Sequence, residues 1–145
     1  MIATLHSASV AIFAQSLLRP FFAAVRYLEQ PTSRDIQAYP QNWREVTQLK
    51  PLLLDEGLTS LPLPEEAQRQ HWSGLALKTC KGYSFSLVCA AWAHRHGMLL
   101  SLQDLTNSEF SATHSYLLGA HLSTLNGEEL NSPQYTPAAD QPWLS

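Results

Sequence analysis

Between Leu75 and Leu122 the spacing of apolar residues changes three times without a break, from every second residue to every third or fourth and back again. A chain whose hydrophobic period switches in that way buries its apolar side chains as strand, helix, strand and helix in succession. The spacing predicts strands at Leu75–Thr79 and Met98–Gln103 and helices at Gly82–His96 and Asn107–Leu122. A helix-length crossover favours parallel neighbours, so both strands are expected to end at one edge of a sheet.

Each helix can be read from its ends and its stripe. In the first, Phe85, Val88, Cys89 and Trp92 recur at helical steps, and Ala90, Ala91 and Ala93 are small enough to let the backbone lie close to a sheet. Gly97 stands where a left-handed residue closes a helix, behind His94, Arg95 and His96 at the negative end of the dipole. The second opens on Thr106-Asn107-Ser108-Glu109, which has capping-box form, and continues with a stripe of Phe110, His114, Leu117, Leu118 and His121.

Ahead of this unit, Val10, Phe13, Leu17, Phe21, Val25 and Leu28 predict one amphipathic helix or a pair from about Ser9 to Glu29, with Pro20 at a kink or a fresh start. The run Ala8–Leu18 lacks preceding basic residues and a small-residue cleavage site, and Arg19-Pro20 stops it short of a span, so neither a signal peptide nor a membrane helix is expected. A short helix is predicted from Gln41 to Lys50, and Leu52-Leu53-Leu54 reads as a brief buried strand or as the tail of that helix, with the strand preferred. Pro64 suits the first turn of a further helix through His71. Beyond the Asn126-Gly127 turn, residues 126–145 carry three prolines and no period, which reads as an irregular tail. No internal repeat is visible in the sequence.

The expected fold is α/β: a single domain over residues 1–145, with a small sheet of three to five strands, the β-α-β-α unit at about 75–122 and packed N-terminal helices. A chain of 145 residues that is 45% hydrophobic can bury such a core without disulfides. Its charged fraction of 14% and net charge of −3, with no basic cluster, argue against nucleic acid as partner, and no membrane association is expected. Cys80 and Cys89 read as reduced thiols, hence a cytoplasmic protein.

Cys80 falls between a strand and a helix, where the helix dipole and the charges of Lys78 and Lys81 favour a thiolate. With His114 as base and Asp104 to orient it, a Cys-His-Asp nucleophilic site is one reading. Cys80-Lys81-Gly82-Tyr83-Ser84 ahead of a small-residue helix is similar, over about twenty residues, to the helix-start cysteine of papain-like and transglutaminase-like folds. No tryptophan- or glycine-flanked histidine followed by a matching aspartate stands downstream, and no family is assigned on it. By order of elements the chain also resembles small regulatory domains of the STAS type.

Because open α/β sheets bind ligands beyond the carboxyl ends of their strands, Lys81, Tyr83, Ser84, Thr106 and Asn107 form a candidate ligand-binding rim. His94 and His96 point to different sides of a helix, and His114 and His121 lie two turns apart, about 10 Å, so no metal is expected. No glycine-rich phosphate loop is present, and no cofactor is expected. The function expected from these features is a non-catalytic interaction or regulatory module. It would work through a protein partner or self-association as a homo-oligomer, with Phe21, Phe22 and Tyr27 as the interface. The alternative is a cysteine-dependent hydrolase or acyl transferase with Cys80 as nucleophile.

Overall fold

The structure is a computed structural model, and it describes residues 19–103, 108–129, 131–135 and 138. Elements run in the order α1 (Arg19–Ala24), β1 (Leu28–Glu29), α2 (Arg44–Leu49), β2 (Leu52–Leu54), α3 (Leu63–Arg69), β3 (Gly74–Leu77), α4 (Tyr83–Arg95), β4 (Leu99–Gln103), α5 (Glu109–Gly119), β5 (Glu128–Glu129) and α6 (Ser132–Tyr135). A single 3-10 turn, Thr79–Lys81, links β3 to α4. The five strands form one sheet in the order β1-β2-β3-β4-β5, with parallel ladders at β1–β2, β2–β3 and β4–β5. The expected single α/β domain, at the upper end of the expected strand number, is what the chain forms.

Strand order carries more information than strand count. In a doubly wound sheet the order reverses at a switch point, whereas here each strand pairs with the next in sequence, as in a (β/α)8 barrel. Sequential winding also exposes a repeat that the residue pattern hides. Glu29, Asp55, Lys78, Gln103 and Glu129 each stand at or one residue past the end of a strand, at successive separations of 26, 23, 25 and 26 residues.

By clustering of contacts the chain divides into two compact units between Leu75 and Ala76. The first unit is built on large side chains. Leu52, Leu53 and Leu54 are all buried, as expected for a short apolar run that is a strand. Around them Ile36, Val46 and Leu58 are buried, and the rings of Trp43 and Trp72 meet edge-on at 5.8 Å. Gln70, itself buried, ties this core together by donating through Nε2 to the Ile36 carbonyl and to Glu66 Oε1, both at 2.7 Å. The predicted helix through Glu29 stops at Ala24 instead. Leu28 and Glu29 leave it to pair with Leu52 and Leu53, because the ladder beside β2 satisfies backbone groups that a continued helix would leave facing that strand.

In the second unit the helices turn mostly small side chains inward, against strand leucines such as Leu77 and Leu102. Helix α4 buries Ser86, Cys89, Ala90 and Ala93, while Val88 is exposed and Trp92 stacks on His96 with ring centroids 3.8 Å apart. The stripe expected from Phe85, Val88, Cys89 and Trp92 is therefore rotated toward the alanines, whose size permits the close approach to the sheet. Gly97, at φ 67°, closes the helix as expected, and the Met98 amide bonds back to the Ala93 carbonyl at 2.9 Å. Helix α5 departs further. Ala112, Ser115 and Leu118 face the core, and Phe110 and Leu117 from the expected stripe are exposed. Its N-cap is Ser108 in extended conformation, two residues after the threonine that the capping box named; Thr106 lies outside the described residues. Within the segment read as an irregular tail, Glu128 and Glu129 pair with Leu102 and Gln103.

Candidate functional site

Parallel βα repeats present their chemistry at the carboxyl ends of the strands, where the loops to the helices leave the sheet. In the first unit those positions hold carboxylates. Glu29 ends β1 and is half-buried, and Asp55, the residue after β2, is 1% exposed. Gln30 frames the turn beyond Asp55, its Oε1 accepting the amides of Asp55 and Gly57 at 3.0 Å each. Carboxylates are seldom this buried in a fold unless something holds them.

In the second unit the corresponding positions hold an amine, an amide and a carboxylate. Lys78 follows β3 directly and is 6% exposed. Gln103 ends β4, is equally buried, and lies in register with Glu129 at the end of β5. A Cβ built on Gly119 would approach the Leu102 side chain at 3.3 Å, so Leu102 faces α5 and Gln103, one residue on, faces the opposite side of the sheet. On that same side Ser101 is buried, and its hydroxyl has no hydrogen-bond partner among the described residues.

The turn after Lys78 is tightly made. The Lys78 carbonyl accepts the Lys81 amide at 3.0 Å and the Ser86 hydroxyl at 3.1 Å. The Thr79 carbonyl accepts the Gly82 amide at 2.9 Å, and Gly82 at φ 120° lets the chain turn into α4. Thr79 and Ser115 share a buried hydroxyl–hydroxyl bond of 2.5 Å.

Residues singled out in the sequence fall around this turn. Cys80 lies within it and is exposed. Lys81 is half-buried there, and Tyr83 and Ser84, both exposed, open α4. His114 is flanked by the rings of Tyr83 at 5.4 Å and Phe110 at 4.3 Å. Asp104, Thr106 and Asn107 lie outside the described residues. Cys89 is buried, and burial pushes its thiol up to about 11, with the charge of Lys81 pulling partly back. Phe21 is 70% exposed on α1, Phe22 lies under the Lys50 ammonium at 5.2 Å, and Tyr27 is half-buried.

Sequence reasoning missed Glu29 and Asp55 as site residues and used Lys78 only as a charge beside Cys80. The signal was a charged residue directly after an apolar run, in Leu28-Glu29, Leu54-Asp55 and Leu77-Lys78. A cavity of about 770 Å³ in the second unit lies elsewhere, at the amino end of β4, walled by Leu87, Ala90, His94, Met98, Leu100 and Leu125. Strand-end chemistry rather than cavity size therefore identifies the site. Among the described residues no helix is long and apolar enough to cross a membrane.

No family profile matches the sequence, and no curated protein does. Solved structures match in fold. The N-succinyl Arg/Lys racemase of Bacillus cereus superposes with a TM-score of 0.73 at 21% identity, over 88% of this chain and 34% of that one. The muconate lactonizing enzyme of Pseudomonas putida gives 0.67 at 24% identity, over 89% and 36%. A dipeptide epimerase of Cytophaga hutchinsonii, complexed with Mg and the dipeptide D-Ala-L-Val, gives 0.66 at 18% identity, over 89% and 35%. The chain thus spans about a third of the length of the solved chains it matches, and likeness at this identity establishes the fold.

These matches correct the functional expectation. A non-catalytic interaction module is overturned because the proteins sharing this fold are racemases, epimerases and lactonizing enzymes. The alternative, a cysteine-dependent hydrolase or acyl transferase with Cys80 as nucleophile, gains no support from these likenesses in fold. Magnesium, present with the Cytophaga enzyme, asks for an oxygen-rich ligand set. Among the described residues no group of three His, Cys, Asp or Glu side chains stands together to hold an ion.

Proposed function

We propose that the protein is an enzyme of proton transfer at a carbon beside a carboxylate, with Lys78 as the acid–base group. The observation that carries this reading is the lysine itself: a side chain 6% exposed, placed directly after a parallel strand in a sequentially wound βα fold. Lysine is among the residue types least often buried, and a strand's carboxyl end is where this architecture keeps its reacting groups. Racemisation and epimerisation need such a group. The amine form of Lys78 takes the proton from the substrate Cα, the electron pair passes into the adjacent carboxylate as an enolate, and a proton returns to carbon, from the ammonium on the face it left or from a second donor on the opposite face, which inverts the centre.

Gln103 and Glu129 end the two following strands of the same unit and supply polar contacts to the substrate in this reading. Lys81, Tyr83 and Ser84, in the turn and helix start that follow Lys78, are taken as the rim of its site in this reading. A cytoplasmic setting is supported by the two unbridged thiols.

The test is wash-out of the α-proton in D2O, followed by proton NMR, with N-succinyl-L-arginine, L-Ala-L-Val and their epimers as probes. Exchange that falls by a factor of roughly 10² to 10⁴ in Lys78→Ala, with an unchanged circular dichroism spectrum, is expected. Exchange of no probe by the wild-type chain, or exchange indifferent to Lys78→Ala, overturns the reading.

A further inference from the structure

We infer that Ser86 and Ser115 are positioning residues for Lys78, a role that rests on the proposed acid–base function of that lysine. Both serines sit inside helices, α4 and α5, where a hydroxyl commonly bonds back to its own helix. Neither is used that way. Ser86, 1% exposed, donates to the Lys78 carbonyl, eight residues earlier and outside its helix. Ser115, fully buried, bonds to the Thr79 hydroxyl, thirty-six residues away in sequence.

Two helices therefore each spend one buried hydroxyl on two consecutive residues, and the first of those is the buried lysine. The Lys78 carbonyl also accepts the Lys81 amide. It thus takes two hydrogen bonds, which fix the plane of the peptide leaving Lys78 and with it the direction of the Cα–Cβ bond. A lysine stem has four rotatable bonds, so its ammonium stays in one place only if its base is fixed. Displacements near 1 Å at a reacting group cost about a hundredfold in rate. An alanine at either position would fill nearly the same volume and leave the turn free to shift.

The inference is tested on the full chain with Ser86→Ala, Ser115→Ala, the double variant and Ser86→Thr, each compared with wild type and Lys78→Ala. With N-succinyl-L-arginine in D2O, each single variant is expected to lose about tenfold or more in kcat with KM within about threefold. Ser86→Thr, which keeps the hydroxyl, is expected to recover most of the loss.

A second arm needs no turnover: the rate at which acetic anhydride labels Lys78, read by mass spectrometry against Lys50 and Lys81 in the same sample. The double variant is expected to raise that relative rate several-fold. A double variant with wild-type kcat and wild-type labelling overturns the positioning role even where Lys78→Ala is inactive. Should Lys78→Ala keep full exchange, the functional reading fails instead, and the labelling arm alone decides whether the serines hold the lysine.

Discussion

Up to Leu75 the core is filled by volume, and from Ala76 onward it is filled by proximity. The first unit buries Trp43, Trp72, Ile36 and six leucines, while the helices of the second bury mostly small residues, Ser86, Cys89, Ala90, Ala93, Ala112 and Ser115, with Leu118. Both are cut from the same βα step, yet their strand ends differ as well, with carboxylates at Glu29 and Asp55 against an amine, an amide and a carboxylate at Lys78, Gln103 and Glu129. A core of large rings is stabilised by the surface it removes from water. One of small residues brings helix and sheet backbones close enough for helix hydroxyls to reach the loop that carries Lys78. Precision in the second unit therefore comes from the absence of side-chain bulk.

The contrast is broken most decisively at Trp43. Truncation to alanine in a fully buried ring site is expected to cost about 3–5 kcal/mol, measured by the urea midpoint; a loss below 1 kcal/mol would mean that the first unit does not depend on volume. Next comes Gly57→Ala, where a Cβ would lie 2.7 Å from the Arg34 carbonyl and 2.8 Å from a Leu54 methyl. Because one of those neighbours is backbone, a loss of about 1–3 kcal/mol is expected.

How far the sequence reveals this division depends on the signal used. Period switching places α4 and β4 close to where they fold, because a helix and a strand each repeat a pattern over enough residues to be told apart; the three leucines of β2 are too few for that. Stripe phase is less legible: Phe110, Val88 and Leu117 are apolar enough to look like core, and only the close packing around Ala90, Ala112 and Ser115 turns them outward. Two-residue strands such as β1 and β5 carry no period at all and exist through their ladders. The site was obscured for a related reason. Lys78 looks like an ordinary charge next to an attractive cysteine until the sheet shows that it follows β3 and is buried.

Cys89 sharpens the contrast through pH. Its folded thiol is held up at about 11 against an ordinary value of 9.0. The folded state therefore keeps a proton that the unfolded chain gives up. Stability from this group is complete below pH 9 and is lost as pH rises from there through 11. A two-unit shift bounds the effect at about 3 kcal/mol. Urea midpoints measured between pH 8 and 11 should fall in wild type and fall less in Cys89→Ala; parallel curves would show that the buried thiol is not responsible. The smallest effect is expected at Gly119→Ala. There the nearest atoms to a Cβ are Glu128 Oε2 at 2.7 Å and a Leu102 methyl at 3.3 Å, and the closer belongs to the end of a flexible side chain. A change within about 1 kcal/mol by thermal melting fits a helix that needs closeness but retains some give, and a larger loss would place α5 tighter against β4 than any other contact in the unit.

The sequential strand order β1-β2-β3-β4-β5 has a consequence for how the chain is born. Every strand finds its partner in the segment just made or the one about to be made, with connections of some twenty residues and no long return across the sheet. Loop closure then costs little more at each step than at the one before. The ladder can grow in the direction of translation, each newly emerged strand laid against an edge that already exists.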